Sequence, residues 1–171
     1  MKFNYLMIAA VLFMTALTSC DLEDVLDKVE LNQDVTVNEI FEVNLTANDP
    51  TTFSEERTFS TDVEGLEITK IEISELTYTV SNYSGDPQNL SLEVWFGDNA
   101  EMGGVTVDGA ILENGSSDLL LLVSNLILTS WENYLLGNPE ATVNVSATID
   151  EVPVTFDLAL NMTLKVTGTK K

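Results

Sequence analysis

The stretch 143–166, VNVSATIDEVPVTFDLALNMTLKV, decides the fold of this chain. Apolar and polar residues alternate from Val143 to Ile149, and they alternate again from Val154 to Val166 after a short acidic break. A period of two places the apolar side chains of a strand on one face. Each half therefore reads as a half-buried strand, and we predict a long terminal hairpin with one apolar face.

The same alternation recurs upstream, bounded by turn residues. It predicts further strands at 35–45, 53–59, 71–80 and 90–96, and two short ones at 105–107 and 110–112. In the third of these the apolar parity changes at Ser74-Glu75, which predicts a β-bulge or a strand that changes sheets. Asp108-Gly109 lies between two short apolar runs and predicts a two-residue hairpin turn.

The segment between these strands and the terminal pair has no period of two. The apolar run Leu119 to Val123 fits a strand buried on both faces, although a helix is not excluded by periodicity. Helical spacing of apolar residues up to a stop at Gly137 predicts one short helix at Leu126 to Leu136. About eight strands with one short helix predict an all-β, antiparallel sandwich.

The first twenty residues have the order of an export signal. Lys2 precedes an apolar run from Leu6 to Leu17, which is too short to span a bilayer. The next residues, Leu17-Thr18-Ser19-Cys20, resemble the lipobox of bacterial lipoproteins. That resemblance implies cleavage before Cys20 and acyl chains on it. The alternative is a plain signal peptide followed by a free thiol.

These features divide the chain into a lipoprotein signal peptide at 1–19, an acidic tether or short helix at 20–33, and a β-sandwich domain at 34–171. The acid-rich stretch after Cys20 resembles the export tag of Bacteroidota lipoproteins and implies an outer-membrane, lipid-anchored protein that faces the cell surface. Asp21, directly after the cysteine, resembles an inner-membrane sorting signal and keeps that location open. The domain itself resembles the immunoglobulin-like domains of exported lipoproteins, without a Cys-Trp-Cys core.

Composition excludes several classes of function. The net charge of −21 repels phosphate backbones, so we expect no nucleic-acid partner. The chain has no histidine and one cysteine, which removes Ser-His and Cys-His catalysis and the usual zinc ligands. We expect neither a cofactor nor an enzyme, and a carboxylate-dependent glycoside hydrolase is the enzymatic alternative.

Three acidic residues near predicted turns, Asp98, Glu101 and Asp108, are candidate calcium ligands because calcium prefers oxygen donors on loops. Their spacing is not that of an EF-hand, and a solvated loop is the favoured explanation. Trp95 and Tyr83 are candidate ligand contacts. Trp95 has outward parity and can stack on a sugar or a partner side chain, unless the helix that carries Trp131 covers it.

The sequence therefore predicts a lipid-anchored envelope or cell-surface protein with a binding or structural role. Its membrane attachment is the lipid on Cys20, and its partner is a protein or a glycan. The alternative is an accessory subunit of an outer-membrane assembly. A free sheet edge would also suit strand addition by a partner.

Overall fold

Two antiparallel sheets face each other in a computed structural model that describes residues 29–84, 86, 88–97 and 103–171. The elements in these residues are β1 (Leu31–Leu45), β2 (Thr52–Ser60), β3 (Leu66–Ser84), β4 (Gln88–Phe96), β5 (Val105–Leu112), β6 (Gly115–Asp118), α1 (Asn125–Gly137), β7 (Glu140–Ile149) and β8 (Val154–Lys170). A single 3₁₀ turn, Leu120–Leu122, precedes α1. Within this part of the chain, no helix is long and apolar enough to cross a membrane.

The strand order is β1-β8-β3-β6 in the first sheet, called sheet A, and β2-β7-β4-β5 in the second, called sheet B. This is the order of an eight-stranded jelly roll. The predicted antiparallel sandwich of about eight strands with one short helix is confirmed. Its connectivity is not that of an immunoglobulin domain, because the first strand pairs with the last and the second strand with the last but one.

The core lies between the two sheets and is built from the inward residues of each strand. Phe41 and Leu76 of sheet A and Leu92 and Phe96 of sheet B have no measurable exposure. Burial of such a side chain contributes about 1.5–3 kcal/mol. The period of two in the sequence thus corresponds to inward and outward faces of the strands.

The terminal hairpin prediction is wrong. The strands β7 and β8 exist, but β7 lies in sheet B between β2 and β4, whereas β8 lies in sheet A between β1 and β3. The connection 150–153 crosses from one sheet to the other. Alternation shows only that each strand has one buried face. The same sequence pattern arises whether the two strands pair with each other or face each other across the core.

The two predicted irregularities have different outcomes. The register of β3 on β8 shifts between Ile73 and Glu75, so the bulge predicted there is confirmed. The hairpin predicted at Asp108-Gly109 is wrong, because these two residues lie inside β5 and together oppose one residue of β4, Ser91. They form a bulge, and the positive φ of 68° that glycine allows is used at Gly109.

The helix prediction is confirmed, and the strand predicted before it is wrong. Helix α1 begins after Ser124, whose Oγ accepts a hydrogen bond from the N–H of Ile127 at 3.4 Å. In place of a buried strand, the segment before α1 forms the 3₁₀ turn Leu120–Leu122, flanked by Leu119 and Val123. Leu119 is fully buried, but Leu121 is 83% exposed, because a turn cannot bury consecutive leucines on both sides.

Candidate functional site

The two tryptophans of the chain differ in their exposure and in the face of the sheet on which they lie. Trp131 of α1 is fully buried, and its ring lies 4.9 Å from that of Phe96. Its Nε1 donates a hydrogen bond to the carbonyl oxygen of Gly103 at 3.0 Å. Trp131 is therefore a core residue with its polar atom satisfied.

Trp95 lies on the outer face of sheet B. Its neighbours in β4, Val94 and Phe96, are buried against the core, so the side chain of Trp95 points to the opposite side and is half-buried there. Trp131 packs on Phe96 rather than on Trp95, although both tryptophans lie near the end of β4. The outward parity predicted for Trp95 corresponds to this position.

The surface around Trp95 is polar. Trp95 pairs with Asn144 of β7, and Asn144 pairs with Glu56 of β2, so the three residues form a row about 10 Å long across the sheet. The Nδ2 of Asn144 donates to the carbonyl oxygen of Gly97 at 2.8 Å. The neighbouring outward positions on the same three strands also carry hydroxyl, amide or carboxyl groups: Ser54, Thr58, Ser91, Glu93, Thr142, Ser146 and Thr148. We call this surface, centred on the row Trp95, Asn144 and Glu56, the Trp95 face.

Tyr83 lies elsewhere. It is near the end of β3 in sheet A, half-buried, and its backbone N–H donates to the Oδ1 of Asn114 at 3.0 Å. Its hydroxyl donates to the carbonyl oxygen of Asp86. The first bond joins the end of β3 to the turn before β6, and the second joins Tyr83 to Asp86. Tyr83 lies in sheet A and Trp95 in sheet B, so the two do not form one site.

Of the three predicted calcium ligands, Asp108 alone lies among the described residues. Asp108 is exposed at the bulge of β5, and its Oδ1 accepts a hydrogen bond from the Oγ of Ser91 at 2.6 Å. Asp98 and Glu101 lie outside the described residues, and so does the predicted lipidation site, Cys20. In the described ranges, no three histidine, cysteine, aspartate or glutamate side chains converge to hold a metal ion.

A cleft of about 710 Å³ lies at the end of the sandwich where the connections after β3 and β7 meet. Asp150 accepts two hydrogen bonds at Oδ2 from Asn89, one from the backbone N–H at 3.0 Å and one from Nδ2 at 2.6 Å. The N–H of Glu151 donates to the Oε1 of Gln88 at 2.7 Å. Ile111, 61% exposed, supplies the apolar part of the wall. The polar groups of this cleft largely satisfy one another.

Three ionisable groups among the described residues show shifted pKa values. A hydrogen bond from the side chain of Thr46, followed by one from its backbone N–H, lowers the pKa of Asp49. The hydrogen bond and charge attraction between Lys70 and Glu72 raise the pKa of Lys70 and lower that of Glu72. All three groups are at the surface. These shifts stabilise the charged forms and do not prepare a proton donor.

Comparison with known proteins gives no family. No protein-family model matches the chain, and no curated protein matches it. Among solved structures, a chain of Desmodium yellow mottle tymovirus overlaps with 82% of this chain and 90% of its own length, at 10% sequence identity and a TM-score of 0.34. A likeness at that TM-score adds no argument to the fold given by the strand order.

Sequence reasoning missed the cleft and the polar character of the Trp95 face. The cleft joins residues from three separate connections and strands, and no local motif marks it. The Trp95 face depends on which strands are neighbours. The one sequence feature that indicates this face is that the outward positions of β2, β4 and β7 carry almost no apolar residue besides Trp95.

Proposed function

We propose that this chain is a lipid-anchored protein of the bacterial cell envelope whose sandwich domain binds a neutral saccharide on the Trp95 face. The observation that supports the binding role is the position of Trp95. Its large ring lies outside the core, on a sheet face that is otherwise polar. An indole stacks on the C–H face of a sugar ring, and hydroxyl, amide and carboxyl groups exchange hydrogen bonds with sugar hydroxyls.

The charge of the face selects the kind of saccharide. Glu56 and Glu93 lie on it, and the whole chain has a net charge of −21. Uronic acids, sulfated sugars and phosphorylated sugars would be repelled by these carboxylates. A neutral hexose or pentose chain suits the face better, since its hydroxyls donate to carboxylates without a charge penalty.

The anchor is supported by the order of the first residues. An apolar signal, the lipobox-like Leu17-Thr18-Ser19-Cys20 and the acidic stretch that follows resemble the leader of an outer-membrane lipoprotein. The first strand begins at Leu31, so ten residues separate it from Cys20. A fully extended link of that length reaches about 35 Å. The domain would therefore be held close to the outer membrane, where polysaccharides are encountered.

The binding role is tested by titrating the purified protein with a panel of neutral and uronic-acid-containing oligosaccharides in a calorimeter. We expect at least one neutral oligosaccharide to bind, and Trp95→Ala to weaken that binding at least tenfold. Leu126→Ala, which removes a side chain that is 83% exposed on α1, is the matched control and should leave the affinity unchanged. Equal loss in both variants, or binding unaffected by Trp95→Ala, would contradict the assignment.

A second candidate function is favoured by the edge of sheet A. Strand β1 is one of the two edge strands of that sheet, and it pairs on one side with β8. An accessory subunit of an outer-membrane assembly needs such a surface for its partner. The same molecule can hold a saccharide on sheet B and a protein at the edge of sheet A.

Hydrolysis of a glycan is the less favoured alternative. A glycoside hydrolase of the carboxylate type needs one carboxyl group with a raised pKa to act as the acid. Among the described residues, the two carboxyl groups with shifted pKa values are Asp49 and Glu72, and both values are lowered. Our proposal is therefore binding without catalysis.

A further inference from the structure

Strand β1 presents a long, regular edge. It pairs with β8 from Leu31 to Leu45 without a register shift, which makes an edge about 50 Å long at 3.4 Å per residue. On its other side, no backbone hydrogen bond joins β1 to any residue that the structure describes. Every second residue along this edge therefore presents its N–H and C=O groups to the outside.

The other three edges of the sandwich are shorter or irregular. Strand β6 has 4 residues, β2 has 9, and β5 is interrupted by its bulge at Asp108-Gly109. Proteins commonly protect edges by shortness or bulges, because an open edge pairs with other chains. β1 has neither of these protections.

Charge is the protection that β1 does have. Asp34 and Glu42 are exposed on its outer face, and Glu39 lies half-buried at an inward position between Val37 and Phe41. The strand carries no lysine or arginine. On the adjacent edge strand β2, Glu55 and Arg57 form an ion pair, with Oε2 and Nη2 2.8 Å apart, and add no net charge.

These acids disfavour a second copy of the chain as the occupant of the edge. In an antiparallel pair of two β1 strands centred on Asn38, Asp34 of each copy would face Glu42 of the other. Like charges directly opposite each other destabilise a strand pair. An occupant with cations at these positions would turn the same contacts into attraction.

We propose that β1 accepts an extended, lysine- or arginine-bearing segment of a partner protein by antiparallel strand addition. The cations of the segment lie opposite Asp34, Glu39 and Glu42, and an apolar residue lies opposite Ile40, which is 51% exposed on β1. This goes beyond saccharide binding, because it uses the edge of sheet A and not the face of sheet B. The two sites are tested independently of each other.

The probe is the nine-residue peptide Lys-Thr-Val-Lys-Thr-Val-Thr-Val-Lys, which in antiparallel register runs opposite β1 from Glu42 to Asp34. Binding of the peptide is measured by calorimetry at two salt concentrations, with the mature protein purified from the cells that express it. Two N-methylated derivatives, which are isomers of each other, are compared with the parent peptide, one methylated at the odd backbone amides and one at the even amides. The two derivatives have the same charge and composition, but each lacks the backbone N–H donors along one edge of the peptide strand.

We expect one N-methylated isomer to retain the affinity of the parent peptide and the other to lose at least tenfold. Attraction by net charge alone would weaken both isomers equally or neither, and would overturn the proposal. Absence of binding by the parent peptide would overturn it as well. Neither result bears on the Trp95 face, which the oligosaccharide titrations test.

A charge exchange in the protein gives a second measurement. Asp34→Lys combined with Glu42→Lys should weaken the basic peptide at least tenfold and allow binding of the peptide with glutamate in place of lysine. Glu64→Lys combined with Glu67→Lys changes the net charge by the same amount at exposed positions away from the β1 edge. If this control has the same effect on both peptides, the edge is not the site.

Discussion

Gly168 lies where the backbone leaves no room for a side chain. A Cβ atom there would lie 2.4 Å from the carbonyl oxygen of Glu67 and 2.8 Å from the side chain of Leu66, so two strands of sheet A could not approach as they do. We expect Gly168→Ala to lower the free energy of unfolding by about 1–3 kcal/mol, measured by urea titration. Gly115→Ala, whose Cβ would meet no atom within 4 Å, should change it by less than about 0.5 kcal/mol.

The environments of the two tryptophans predict a difference in fluorescence quenching. With Trp131→Phe the emission comes from Trp95, and acrylamide should quench it readily because the ring reaches the surface. With Trp95→Phe the emission comes from the fully buried Trp131, which should be protected. Equal quenching constants in the two variants would show that Trp95 is covered and unavailable to a ligand.

Asp49 predicts a dependence of stability on pH. Its Oδ2 accepts hydrogen bonds from the N–H and the Oγ1 of Thr46, both at 2.7 Å, and these lower its pKa from the ordinary value of 3.8. A lowered pKa in the folded state stabilises the fold above the ordinary value, and this contribution is lost as pH falls through the folded value. The stability difference between wild type and Asp49→Asn should therefore be present at neutral pH and shrink below 3.8. A difference that stays constant over that range would contradict this.

Periodicity in the sequence predicts the individual strands and the helix well, because it directly indicates which side chains share a buried face. Strand β4, the bulge at Ser74-Glu75 and helix α1 are of this kind. The sequence-based predictions fail where one local sequence pattern is compatible with two different local structures. Asp108-Gly109 supplies a positive φ both to a hairpin turn and to a bulge, and the choice depends on whether β4 continues alongside β5.

The acids of β1 predict a change of association state. The variant that combines Asp34→Asn, Glu39→Gln and Glu42→Gln removes the like-charge contacts while the outer edge of the strand stays open. We expect its dimer fraction in sedimentation experiments to exceed that of wild type, and the excess to grow with protein concentration. The same three-residue change on exposed acids of β3 and its preceding loop, Glu64→Gln, Glu67→Gln and Glu72→Gln, is the control. Equal association of both variants would indicate a general effect of net charge.

In the complete domain, the local sequence pattern does not determine which strands pair with each other. The jelly roll joins β1 with β8 and β2 with β7, pairs separated by most of the chain. The sandwich follows from the number of half-buried strands, but the pairing follows from the closure of a common core. The Trp95 face was therefore predictable as one outward tryptophan, and its polar neighbours were not, since they come from β2 and β7.

In the proposed function, the lipid on Cys20 fixes the position of the molecule in the cell. This attachment is tested by intact mass, membrane fractionation and protease shaving of whole cells that express wild type or Cys20→Ala, with Ser19→Ala as a control that keeps the cysteine. We predict that wild type and Ser19→Ala carry acyl mass, fractionate with the outer membrane and are cut by external protease. Cys20→Ala should carry no acyl mass and should leave the membrane fraction. Soluble, unacylated protein in all three strains would contradict the account.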